Sequence, residues 1–174
     1  MTNEIYGIDY LRRRLADKQT RVLLRYKYYE MKNNAQDFSS LAPEKFKGLK
    51  ETVGWCAKAV DSLADRLQFD EFQNDEFNLS EIFLSNNQDI LIDSAVLSAL
   101  ISACSFVYIR EDNGYPRLQV IDGSNATGII DPVTNLLTEG YAVLERDSMG
   151  VVKTEAYFMA GMTEIYSHGV LVQR

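Results

Sequence analysis

The chain has 174 residues, 46% of them hydrophobic and 25% charged, with a formal net charge of −7 and a single histidine. That is enough apolar material for one sizeable core, and it excludes the low-hydrophobicity, high-charge class of chains that stay disordered. The sign of the charge is segregated: residues 1–32 carry eight Lys/Arg against four Asp/Glu, whereas residues 61–93 carry nine Asp/Glu against Arg66 alone. A basic leading segment on an acidic body suits nucleic acid or an acidic neighbouring subunit equally well.

Ile8, Leu11, Leu15, Val22, Tyr26 and Tyr29 recur at helical spacing, with Lys18 and Gln19 interrupting the stripe. This predicts one long helix over about Asp9 to Met31, or two short ones meeting near Asp17–Thr20. The run Arg12-Arg13-Arg14 spreads over the helix surface, since successive residues are about 100° apart. Basic residues interleaved with Tyr26, Tyr28 and Tyr29 are able to form a stacking platform for single strands, although such tyrosines more commonly pack their rings and wet their hydroxyls. Asn33 to Ser40 reads as a polar loop, and Leu41-Ala42-Pro43-Glu44 as the start of a short helix to about Leu49.

Val53, Cys56, Ala57, Val60, Leu63, Ala64 and Leu67 form one apolar stripe, which predicts a core helix around the only tryptophan, Trp55. Phe69 and Phe72 bracket an acidic turn as two buried aromatic anchors. Cys56 and Cys104 both lie in apolar runs and are expected to be buried, reduced thiols, in keeping with synthesis in a cytosol. The nine acids of residues 61–93 lack the glycine-centred ligand loop of a calcium hand and read as a solvated face. Asn78 or Ser80 caps a short helix. From Ile90 to Ala103, Ser94, Ser98 and Ser102 recur every four residues, a ridge that lets another helix approach closely, the Trp55 helix being the natural neighbour. Leu91, Val96, Leu97, Leu100 and Ile101 supply the bulk. The stretch Ile90–Ile109 is as long as a membrane span but holds Asp93 and four serines, so a buried helix running into a strand is the better reading. The amino terminus has no pattern of a secretory signal.

At Cys104 the period changes from helical to alternating. Phe106–Ile109 and Leu118–Ile121 flank the hairpin turn Glu111-Asp112-Asn113-Gly114, and Thr127–Ile130, Tyr141–Arg146, Lys153–Phe158 and Thr163–Tyr166 follow, separated by turns. The expected fold is α+β: residues 1–103 mainly helical, packed on an antiparallel β-meander of five or six strands over residues 104–174, in a single domain.

Catalytic signatures are missing from the sequence. His168, in Ser-His-Gly, reads as a surface turn without a spaced partner, and no phosphate loop, dinucleotide fingerprint or nucleophile elbow is present. Asp131 with Glu145 resembles the acidic pair of a metal-dependent nuclease only weakly, because Arg146, the basic neighbour, alternates to the other face. No catalytic, cofactor-binding or metal-ligating residues are therefore expected. Arg13, Arg21 and Arg25 are the residues singled out for contact with DNA or with another subunit.

Several blocks resemble the amino-terminal part of bacteriophage portal proteins. They are Tyr10–Leu15 with Arg25–Tyr29, Gly54–Leu67, Ser94–Ile101 and Leu118–Thr127, similar in order and spacing as well as in composition. The resemblance implies the wing portion of a structural subunit, without enzymatic activity or cofactor, in a ring of twelve copies at one capsid vertex. It further implies contact with like subunits and with capsid or scaffold protein, transient passage of double-stranded DNA, and a place in the virion after synthesis in the host cytoplasm, with no membrane. Terminase and adaptor contacts would belong to the stem, clip and crown, which this chain does not resemble, so a fragment or a truncated prophage product is expected. A nucleic-acid-binding module using residues 12–27 is the alternative, and a metal-dependent nuclease a remote one.

Overall fold

The computed structural model describes residues 5–32 and 54–174. The expected loop at Asn33–Ser40 and short helix at Leu41–Leu49 lie outside them. Among the described residues four helices, α1 (Ile8–Tyr29), α2 (Trp55–Ala64), α3 (Leu79–Ser85) and α4 (Gln88–Ser102), precede seven strands. The strands are β1 (Ser105–Asp112), β2 (Tyr115–Asp122), β3 (Ala126–Ile130), β4 (Leu137–Arg146), β5 (Val152–Met159), β6 (Met162–Ser167) and β7 (Val170–Gln173). The fold is α+β, helices first and antiparallel strands second.

The antiparallel strands of the meander fall into two sheets. β1 and β2 make a separate hairpin, and β3 to β7 make a five-stranded sheet in sequence order. Asn113 and Gly114 both have positive φ, 54° and 79°, the geometry that keeps a two-residue hairpin in step with strand twist. At Asp122–Asn125 the chain turns out of the hairpin plane. The two sheets then stack: Ile121, Phe106 and Tyr108 of the hairpin pack against Ala126, Ala142, Leu144 and Phe158. The opposite face of the five-stranded sheet, with Tyr141, Val143 and Tyr157, receives Leu11 and Leu15 of α1. Alternation along β4 and β5 therefore serves two cores at once, which is why residues 139–143 and 155–157 are buried in unbroken runs.

α1 is a single helix. Lys18 and Gln19, which break its apolar stripe, still point inward: Lys18 Nζ donates to Ala126 O at 2.7 Å and Gln19 Nε2 to Ser124 O at 3.1 Å. The buried carbonyls at the β2–β3 turn need donors, and these side chains supply them.

α2 is not a core helix. None of its residues is buried, Trp55 is 79% exposed and Cys56 is an exposed thiol. Only Ala57, Val60 and Ala64 are half-buried, so the long apolar stripe is split between a narrow contact and a solvent-facing flank. Cys104 is partly buried, and both cysteines are free thiols. Nor does α2 lie on the serine ridge of α4. Ser98 Oγ faces the hydroxyl of Tyr26 at 3.5 Å, and Arg25 Nη1 donates to Ser102 O at 3.3 Å, so the ridge receives α1. α2 meets α4 instead beside Asp93, Val96 and Leu97.

Junctions are held by polar side chains that replace local caps. Neither Asn78 nor Ser80 caps α3. The Asp75 carboxylate accepts from the N–H groups of Leu79 and Ser80 at 2.6 and 2.8 Å, and these bonds hold it below the usual carboxylate range. Asn86 accepts from Leu118 N and donates to Pro116 O, tying the end of α3 to β2. Phe69, Phe72 and Phe83 form a small aromatic cluster, with ring centroids 4.9–6.1 Å apart, that anchors the loop before α3. Among the described residues no helix is long and apolar enough to cross a membrane.

Candidate subunit or nucleic-acid interface

The inward side of α1 is secured by two buried glutamates on neighbouring strands. Glu139 and Glu155 are 4% and 6% exposed. Each stands two residues before a tyrosine, in Glu139-Gly140-Tyr141 and Glu155-Ala156-Tyr157, and Tyr141 lies opposite Tyr157 in the β4–β5 register. Residues two apart share a strand face, so acid and phenol point the same way. The bonds run diagonally: Tyr157 donates to Glu139 at 2.5 Å, and Tyr141 donates to Glu155.

α1 completes both acceptor sets. Glu139 also accepts the N–H groups of Tyr6 and Gly7, at 2.8 and 3.0 Å, just before the helix starts. Gly7 offers no side-chain cap, so a carboxylate from across the fold supplies the negative charge that a helix N-terminus favours. Arg12 binds Glu155 through Nε and Nη2, reaches Asp9, and lies 5.6 Å over the Tyr166 ring. Burial opposes the charged form of both acids, but the tyrosine, backbone and arginine donors outweigh it, and both are held below the usual glutamate range. Burial and then the carboxylate partners push the Tyr141 and Tyr157 phenols up, beyond the usual tyrosine range. With three bonds accepted by each acid, all from α1, the two residues before it or a tyrosine, the pair works as a clamp that seats the helix.

The three arginines singled out in the sequence are placed differently from one another. Arg13, Arg21 and Arg25 are all exposed. Arg21 and Arg25, four residues apart, share a side of α1, and Arg14, seven residues before Arg21, lies on the same side. Arg13 is about a third of a turn away and does not join them. Lys18 sits beside this row, but its amine is drawn inward, where burial lowers its affinity for the proton. The tyrosines do not build a stacking platform: Tyr26 is turned to Ser98, Tyr29 donates to Asp61 at 2.8 Å, and Tyr28 is left 46% exposed.

The acidic candidates do not converge on a metal. No group of three potential ligands occurs among the described residues. Asp131 closes its own turn by accepting from Val133 N at 2.8 Å. Glu145 is paired with Lys153 at 2.6 Å. Ile130 pairs with Leu137, and Glu145 lies eight residues further along β4, so the two acids are separated by roughly 25 Å of strand. They cannot share an ion. His168 is exposed in the turn before β7, with φ at 49°.

Sequence reading passed over Glu139 and Glu155. The available signal was the Glu-x-Tyr triplet repeated on consecutive strands, which places acid and phenol on one face. Compared with known proteins, the chain matches no family model and no curated protein.

Proposed function

We propose that this chain is the wing portion of a phage portal subunit, a structural component of a ring at the capsid vertex that serves DNA packaging and head–tail connection. The reading is carried by the blocks Tyr10–Leu15, Gly54–Leu67, Ser94–Ile101 and Leu118–Thr127, which resemble portal proteins in order and spacing. A physical feature supports it: more large hydrophobic side chains are exposed than hydrophobic side chains are buried among the described residues, Trp55, Phe77, Val133 and Met149 among the most open. Where exposed apolar side chains form a contiguous patch, they mark a protein–protein interface. In this reading like subunits, capsid or scaffold protein and passing double-stranded DNA are its partners. Terminase and adaptor contacts belong to the stem, clip and crown of portal proteins, and the finished subunit resides in the virion.

The complete product of the gene that encodes this chain, imaged by electron microscopy and weighed by native mass spectrometry, should form closed rings, twelve-fold in the family's usual pattern. Monomers alone, in conditions where portals assemble, would refute the reading. A second reading, a nucleic-acid-binding module, draws on Arg14, Arg21 and Arg25, which lie on one side of α1 and form no ion pair with a described residue. It requires a DNA affinity that falls steeply with salt and is lost when these three become Gln.

A further inference from the structure

The outward side of α1 carries a second stripe. Tyr10, Arg14, Asp17, Arg21, Leu24 and Tyr28 follow one another at steps of four and three, and every one is exposed. Residues so spaced share one helix face, and this face is turned roughly 120° from that of Leu11, Leu15 and Val22. Tyr10, Leu24 and Tyr28 are 42%, 49% and 46% exposed. Tyrosine and arginine with aliphatic neighbours is the composition of the centre of a protein–protein interface. A phosphate-binding stripe would be uniformly basic, whereas Asp17 stands in the middle of this one.

A complementary surface exists elsewhere on the same chain. α2 and α4 leave between them a cleft of about 350 Å³ with Leu67, Val96 and Leu97 as apolar lining. Its charged lining is Asp61, Asp65 and Asp93, with no basic residue. Apolar lining accommodates the methylene stem of an arginine, and carboxylates bind the guanidinium at its end. The chain cannot bring the arginines of its own stripe there. The Tyr29–Asp61 bond fixes the cleft at the carboxy-terminal end of α1, while Arg21 and Arg14 lie about 12 Å and about 22 Å back along the rigid helix axis.

We infer that the outward stripe of α1 docks into the α2–α4 cleft of a second copy of this chain, head to tail. Two different surfaces on each copy make a heterologous contact, which closes into a ring where the rotation permits. The inference rests on the portal reading only in taking that contact as the ring contact.

Sedimentation velocity at low salt on the chain and two variants, Arg14→Gln/Arg21→Gln and Asp65→Asn/Asp93→Asn, tests it. The unaltered chain should associate, and added salt should weaken it. Each variant alone should lose about tenfold or more in association. An equimolar mixture of the two should regain pairs and nothing larger, because each mixed pair contains one intact contact and has no free complementary surface from which to extend. The inference is overturned if either variant associates like the unaltered chain, or if the unaltered chain stays monomeric. Unchanged sedimentation with a lowered melting temperature overturns it too, by showing the stripe to be covered within the chain. Unchanged sedimentation with lost retention of DNA overturns it in favour of a nucleic-acid surface. If the complete gene product carrying these substitutions still forms rings, the docking surface falls and the portal reading stands. If the unaltered complete product forms no rings, the portal reading falls.

Discussion

Replacing Glu139 by Gln tests the clamp that seats α1. The carboxylate accepts three bonds, from the Tyr157 hydroxyl at 2.5 Å and from the N–H groups of Tyr6 and Gly7 at 2.8 and 3.0 Å. Glutamine preserves the volume but has one acceptor oxygen, so its NH₂ must confront at least one of these donors. A hydrogen bond to a charged group contributes about 1.5–3 kcal/mol, and a negative charge at a partly buried helix N-terminus up to about 2 kcal/mol. Losing one such bond together with the charge should destabilise the fold by about 2–4 kcal/mol. A protein of this size melts about 2–4 °C lower per kcal/mol lost, so thermal unfolding followed by circular dichroism should shift down by about 5–15 °C. Glu145→Gln is the control. Its partner Lys153 is 2.6 Å away but both side chains are about half exposed, and water screens such a surface pair, so it contributes little. Equal shifts in the two variants would refute the account of Glu139 as a buried clamp.

Acid should act through the same residues. Glu139 and Glu155 are held below their unfolded values, so the stability they contribute is complete above the ordinary glutamate range, about pH 4.3, and is lost as pH falls through and below it. The melting temperature should be level near neutrality and fall steeply below about pH 4, with a shallower fall in Glu139→Gln; an identical acid limb in both proteins would count against this. Gly123→Ala would place a Cβ 2.7 Å from Ser102 Oγ and 2.8 Å from Cys104 Sγ at a buried turn, and a loss of about 1–3 kcal/mol is expected in chemical denaturation. Ser102→Ala removes the hydroxyl that accepts from Gly123 N at 3.3 Å and lies 2.7 and 2.6 Å from the carbonyl oxygens of Ser98 and Cys104; leaving that buried N–H unpaired should cost about 1–3 kcal/mol by the same measurement. Trp55, 79% exposed, should fluoresce as a water-exposed indole at low protein concentration and be readily quenched by iodide, and a blue-shifted, protected emission there would contradict the placement of α2.

The local architecture was largely legible in the sequence. Periodicity located α1 and α4, the Asn113-Gly114 pair located the first hairpin, and turn residues at short intervals marked the strands after Cys104, because these signals depend on neighbours within one turn or one hairpin. β7 escaped notice because Val170-Leu171-Val172 is an edge strand exposed on both faces, with no alternation to read. What surrounds each element was a tertiary matter. The α2 stripe reads as core by period alone, yet a helix buries only as much of a stripe as its neighbours cover, and α2 meets them along Ala57, Val60 and Ala64. Six of the seven strands after Cys104 could be located, but only stacking decided that they divide into a hairpin and a sheet. Glu139 and Glu155 drew no notice in the sequence, and more than 130 residues separate them from the start of α1. Chain order shows what a residue can donate or accept; only the fold brings Tyr6, Gly7 and Arg12 to those carboxylates, where removal from water makes each bond strong and its loss costly.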